Sequence, residues 1–236
     1  MEFVHLAVAV LSLLSVGHSG PVTNCETLTQ PLEFQKEQLL GKWIFLTEST
    51  DIPGTQLLTK MFLSNAWLKI TTANENGGLN AVYFYKMGGL CFKLSANFTV
   101  ESNTISAVQP YAMSATLLKT GCPDCLVFFG KHTIGGSTYT TLQLMSRRSM
   151  VTNAELDEFK KQAECLNLYS PAFLEPEKGL CSDDLTQEIG TTDVTNVMNG
   201  MASEAFEKFN TIINSENGVQ TLIKIISSGI DTLKNN

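Results

Sequence analysis

Between residues 41 and 147 the chain is built from short apolar or alternating runs separated by turn-forming residues, the pattern of β-strands rather than helices. The runs are Lys42 to Glu48, Phe62 to Thr72, Asn80 to Lys86, Leu90 to Val100, Thr104 to Val108, Ala112 to Lys119, Cys125 to Gly130 and Ser137 to Ser146. Each is rich in β-branched, aromatic or aliphatic residues. Between them stand Asp51-Ile52-Pro53-Gly54, Asn74 to Gly78, Gly88-Gly89, Gln109-Pro110, Gly121-Cys122-Pro123 and Gly135-Gly136, which favour tight reversals. Eight such strands joined mostly by hairpins predict an all-β chain: an eight-stranded antiparallel up-and-down barrel. Closure removes exposed strand edges, and eight strands leave an interior wide enough for one small ligand.

After residue 150 the period changes. Thr152-Asn153-Ala154-Glu155 reads as a capping box, and Leu156, Phe159, Ala163 and Leu166 recur at helical spacing, predicting one amphipathic helix that flanks the barrel. Tyr169 to Cys181, with Pro171 and Pro176, reads as extended chain. Leu185 to Gly200 has the Thr, Asn and Asp content of a linker. Beyond it, Ala202, Phe206, Phe209 and Ile213, then Val219, Leu222, Ile226, Ile230 and Leu233, predict two helical pieces. The expected organisation is therefore a signal peptide over 1–19, a barrel domain over 20–184, and a linker with a helical extension over 185–236. The extension is expected to pack on its own barrel; an oligomer contact or a lipid surface are the other uses of its apolar faces. The oligomeric state is left open.

The signal peptide rests on the apolar run Val4 to Val16, too short to span a bilayer, and on Gly17 and Ser19, small residues placed for cleavage. It predicts a secreted, extracellular protein. All six cysteines lie downstream of it, and in an oxidising compartment an even count reads as up to three disulfides. Asn97-Phe98-Thr99 makes Asn97 the candidate glycosylation site. A hydrophobic content of 43% supports a sizeable core, and no later run is long enough for stable membrane insertion. The net charge of −7 argues against nucleic acid.

Catalytic chemistry finds little support. Of three histidines, His5 and His18 fall in the signal segment, leaving His132 beside Lys131 as a solvated loop residue. No catalytic residues, no metal site and no cofactor are therefore expected. Cys122 and Cys125 form a C-x-x-C pair in a hairpin turn, away from the helix N-terminus that a redox centre uses. They read as a local disulfide or as two idle thiols.

Gly41-Lys42-Trp43 opens the first strand behind a short helical segment, Glu33 to Leu40. The indole can plug one end of the barrel, and a glycine before it permits close backbone approach. At the far end of the eighth strand stands Ser146-Arg147-Arg148, where a guanidinium can stack on Trp43 and bond nearby carbonyls. With this order of features, with Leu90-Cys91-Phe92, Glu101 to Ser106, and Ala154 to Phe159 leading to Cys165, the chain from Pro21 to Asp184 resembles the lipocalin family. Within it, it is most similar to the alpha-1-acid glycoprotein (orosomucoid) branch, near fish saxitoxin- and tetrodotoxin-binding and tributyltin-binding proteins.

The resemblance implies disulfides from Cys25 to Cys165 and from Cys91 to Cys181. It also implies a ligand cavity. The strand phase set by Trp43 places Phe45 and Thr47 inward, and an outward Cys91 places Phe92, Leu94, Ala96 and Phe98 inward. Similarity to the orosomucoid pattern adds Val127, Phe129, Gln143 and Met145, and Trp67 is counted with them. The implied function is a secreted carrier of a small hydrophobic or amphipathic molecule such as a lipid, steroid, drug or toxin. The alternative is an extracellular protein–protein or immunomodulatory module whose cavity is incidental. A lipocalin-type isomerase would need a reactive thiol inside the barrel, and an outward, paired Cys91 does not supply one.

Overall fold

In the computed structural model the described residues are 24–73, 78–176, 179–183, 191–201 and 203–234; the expected signal segment and the boundary at residue 184 lie outside them. A short helix α1 (Cys25–Leu28) and a 3-10 turn (Lys36–Leu39) lead into eight antiparallel strands. These are β1 (Gly41–Thr50), β2 (Leu63–Thr72), β3 (Leu79–Met87), β4 (Leu90–Glu101), β5 (Thr104–Ala107), β6 (Ala112–Leu118), β7 (Cys125–Ile134) and β8 (Ser137–Ser146). Each pairs with its sequence neighbour, and β1 pairs with β8, from Ile44 opposite Ser146 to Thr50 opposite Thr141. The sheet is thus a closed up-and-down barrel.

Between β1 and β2, past the expected turn at Asp51 to Gly54, the residues Thr55–Phe62 form helix α2, an element the sequence analysis did not expect, and the second strand starts at Leu63 rather than at Phe62. Leu57, Leu58, Met61 and Phe62 recur at helical spacing in this segment, and Gly54, at φ 81°, turns the chain into it. The stretch is short enough to read either way from sequence, so tertiary context decides.

The strand directions define two ends. Gly41, the 3-10 turn, the β6–β7 turn and Arg147 stand at one end; α2 and the connections 88–89, 108–111 and 135–136 stand at the other. The first end is shut. Trp43 is buried there and its Nε1 donates to the Leu39 carbonyl at 2.8 Å. Arg147 lies 3.5 Å over the indole and donates to the carbonyls of Lys42 (2.7 Å) and Leu40 (2.6 Å). Gly41 has φ 98°, and a Cβ there would come within 2.9 Å of the Arg147 guanidinium, so the glycine is required by both conformation and space.

Helix α3 (Asn153–Cys165) begins at Thr152, whose hydroxyl accepts from the Glu155 amide while Glu155 returns the bond, the expected capping box. Its Phe159 and Ala163 pack on the outer faces of β1, β7 and β8, against Ile44, Leu46, Val127, Leu142 and Leu144. The chain then runs along the outer wall. Strand β9 (Ala172–Phe173) pairs with β1, and disulfides join Cys25 to Cys165, Cys91 to Cys181 and Cys122 to Cys125.

The C-terminal extension is more than a linker with helices. Its strand β10 (Thr191–Asp193) pairs in parallel with Cys91–Lys93 of β4, and Lys93 holds Asp193 at 2.8 Å. The short β5 pairs only with Thr99–Glu101 of β4, so β10 takes up strand edge that β5 does not reach. Helices α4 (Thr195–Asn199), α5 (Ser203–Ile213) and α6 (Gly218–Lys234) follow. Among the described residues no helix is long and apolar enough to cross a membrane.

Candidate functional site

Inside the barrel, towards the open end, lies a cavity of about 240 Å³, lined by Phe45, Ala66, Tyr83, Tyr85, Leu94, Ala96, Phe98 and Met113 with Thr47, Glu48, His132 and Gln143 among them. Thr59 and Leu63 at the C-terminal end of α2 and the start of β2, Gln109-Pro110-Tyr111 and Leu174 border it on the open side. A smaller hollow of about 40 Å³ continues towards the closed end between Leu68, Ile70, Phe128 and Met145. Tyr83, Phe98, Met113, His132 and Gln143 line both.

Of the residues expected to line a cavity, Phe45, Thr47, Leu94, Phe98 and Gln143 border the main chamber, as does Ala96, and Met145 borders the lower hollow. Trp67, Val127 and Phe129 do not. Trp67 is fully buried on the outside of the wall, stacked on Phe84 at 4.2 Å, with its Nε1 donating to the Cys181 carbonyl at 2.8 Å. Val127 and Phe129 belong to the apolar cluster under α3. In β7 it is Phe128, Gly130 and His132 that face inward. The reason is physical: a strand covered by a helix outside and a core inside is apolar on both faces, so its composition does not reveal its phase. Phe92 is half-buried beyond the lining, opposite Tyr85 and beside Thr192 of β10. Asn97 is exposed on its strand.

Sequence reasoning named none of Ala66, Tyr83, Tyr85, Tyr111 and Met113 as lining, and it did not bring Glu48 or His132 to the cavity. Strict alternation from Trp43 puts Glu48 outside, but β1 and β8 shift register between Phe45 and Thr47: Phe45 faces Met145, Thr47 faces Leu144 and Glu48 faces Gln143. This bulge adds one residue, Leu46, and turns Glu48 inward. Thr47 is consequently held by the wall, donating to the Ala172 carbonyl at 2.8 Å. Glu48 is the one carboxylate of β1, but a lone carboxylate does not say which face of the strand it occupies. His132 is likewise not a solvated loop residue; it lies in β7, on the cavity.

These groups form a polar pole in an apolar chamber. Gln143 Nε2 donates to Glu48 Oε2 at 2.7 Å. Burial pushes the Glu48 carboxyl up from its ordinary range, the Gln143 bond opposing that only in part. Burial pushes His132 down, which favours the neutral ring. Its Nε2 lies 2.9 Å from the Thr141 hydroxyl, whereas Nδ1 is buried without a partner. Tyr83, Tyr85 and Tyr111 are all raised by burial, so their hydroxyls remain protonated. Each aromatic face offers apolar contact while each hydroxyl can donate. At the opposite end of the barrel Asp124 lies between Cys122 and Cys125, but both sulfurs are committed to their mutual disulfide.

No protein-family model matches the chain, and no curated protein matches it by sequence. Solved structures do match. The siderocalin Ex-FABP, described as functioning through dual ligand specificities, superposes with a TM-score of 0.53 at 18% identity, covering 66% of this chain and 99% of its own. A dog lipocalin allergen gives 0.50 at 17% identity, over 61% and 98%. Odorant Binding Protein OBP1 gives 0.53 at 16%, over 63% and 97%. Nearly the whole of each neighbour is matched, while about a third of this chain has no counterpart. Together with the closed eight-stranded barrel, the shut end under Trp43 and the flanking α3, these likenesses show that the chain has the lipocalin fold.

Proposed function

We propose that this protein is an extracellular carrier that takes a small, mainly apolar molecule into the barrel and performs no chemistry on it. The observation that carries the reading is the chamber itself: about 240 Å³ of internal space walled by Phe45, Tyr83, Tyr85, Leu94 and Phe98. Such a space is near the lower end of small-molecule sites, and burying ligand surface in it yields roughly 25 cal/mol per Å². The Glu48–Gln143 pair and the free Nδ1 of His132 give the ligand one polar anchor. A molecule with a hydroxyl or amine at one end of an apolar body fits this division best. The lipocalin neighbours support carriage as a use of the fold, and the three disulfides suit an oxidising compartment. The exposure of Asn97 suits glycosylation there, and membership of the orosomucoid-like branch remains part of this proposal.

The test is direct binding. Neither Trp43 nor Trp67 borders the main chamber, so an added fluorophore, N-phenyl-1-naphthylamine, is the reporter of choice rather than intrinsic quenching. Wild type should enhance its emission saturably. Ala96→Trp, which fills the chamber from the β4 wall, should abolish the enhancement while leaving far-UV circular dichroism unchanged. Equal enhancement by both proteins would place the dye elsewhere and remove the support for an internal site. Native mass spectrometry of protein purified from its own fluid would identify the cargo as a co-purifying mass.

A further inference from the structure

The C-terminal helices lie across the end of the barrel opposite Trp43 and Arg147. Helices α5 and α6 touch all four connections at the open end. Ile213 and Leu222 are buried against Ile52 and Tyr139, with Leu58 of α2 and Ile134 at the rim. Val219 seats on Gly54 and Ile230 on Gly88, their side chains occupying the space a Cβ would need, and the backbone at Phe206 lies on Gly135 in the same way. Phe206 also meets Tyr111 edge to face, with ring centres 6.2 Å apart, and Tyr111 is itself a cavity-lining residue. The Tyr139 hydroxyl bonds Asn210, and Asn214 donates to it at 3.3 Å.

This attachment differs in kind from that of the rest of the chain. The last disulfide is at Cys181; beyond it, among the described residues, the extension is held by β10 and the adjoining bonds to β4, by the Tyr111 and Tyr139 contacts and by the small cluster at the rim. Few buried side chains and no covalent tie make a unit that can open without unfolding the barrel. We propose that α5 and α6 are a hinged cap on the barrel mouth, swinging away from α2 and Tyr111 beyond Asn199 to admit or release the carried molecule. The cap rests on the carrier reading for its purpose, but its opening is measurable without any ligand.

The experiment uses the full-length, disulfide-intact chain. Hydrogen exchange read by mass spectrometry should show residues 203–234 exchanging as one unit, ahead of β2, β3 and β7. Exchange of these helices only together with the barrel strands would overturn the cap. In stopped-flow mixing with N-phenyl-1-naphthylamine, Phe206→Ala and Ile230→Ala weaken the closed state at side chains that do not themselves line the chamber, Ile230 being the one that also leaves Tyr111 untouched. Both association and dissociation should quicken by about tenfold with little change in Kd, because each follows the open fraction. Unchanged rates in both variants, with the dye bound, would also overturn it. Should the dye bind neither wild type nor variants, the carrier reading fails, and the exchange result alone decides whether the helices open.

Discussion

At the residue scale, Glu48 is the most consequential side chain of the interior. Its position follows from one extra residue in β1, because the bulge at Leu46 reverses which face the next residues occupy. Burial raises its folded-state carboxyl above the ordinary value of 4.5, whereas the unfolded chain ionises near that value. The folded state therefore holds the proton more tightly, and this contribution to stability is complete below about pH 4.5 and fades as pH climbs through the raised value. Glu48→Gln should remove that pH dependence and become the more stable protein towards neutral pH. Urea unfolding at pH 4.5 and pH 7.5 checks it; parallel curves for the two proteins would show that Glu48 does not titrate as its burial requires. At the shut end, Arg147→Lys should cost about 1–3 kcal/mol, since an ammonium cannot stack on Trp43 and bond the Lys42 and Leu40 carbonyls together. The change in denaturant midpoint measures it. Gly41, Trp43 and Arg147 were legible as a set in the sequence because their chemistry is local and specific. Glu48 was not, because a bulge leaves no mark in composition.

At the scale of elements, legibility followed burial. Strands with one wet face, such as β4, could be phased: Asn97 is exposed, while Leu94, Ala96 and Phe98 border the chamber. Strand β7 could not, since Leu126 and Phe128 face the core and Val127 and Phe129 face α3. Helix α3 announced itself by its capping box and its repeat. Helix α2 did not, because eight residues with no side-chain cap lie below the length at which periodicity decides. The α3 contact is the seal on the outer wall, and Phe159 is its fully buried anchor, 1% exposed. Phe159→Ala should destabilise the fold by about 3–5 kcal/mol through lost transfer energy and a cavity. Binding of N-phenyl-1-naphthylamine at low temperature should be retained, because Phe159 lies outside the chamber; a loss of binding in the folded variant would mean that α3 shapes the interior directly.

At the scale of the whole molecule, two long-range disulfides fasten the ends of the barrel chain to its wall, closing separations of 140 and 90 residues. In the chain-entropy picture each contributes on the order of 4–5 kcal/mol by restricting the unfolded state. Replacing Cys25 and Cys165 together by serine should lower the thermal midpoint by many degrees, with the Cys122–Cys125 pair far less important because it spans a separation of only 3 residues. Differential scanning calorimetry of the two double variants gives the comparison. A larger effect from the short pair would point to strain or local unfolding at the β6–β7 turn instead.

By itself the sequence determined the barrel, the flanking helix, the plug at the shut end and the amphipathic character of the C-terminal extension. Those features are encoded by neighbours in the chain: alternation, capping, turn residues, and side chains with few alternative partners. The tertiary structure decided the rest. It set the phase of β7, turned Glu48 and His132 inward, moved Trp67 to the outer wall, and laid α5 and α6 across the mouth. Each of these depends on which surface covers a residue from far away in the chain. An amphipathic helix states that it will be covered on one face, but not by what; here that face meets Ile52, Tyr139, Gly54 and Gly88, and through Phe206 against Tyr111 the cover reaches the lining of the cavity.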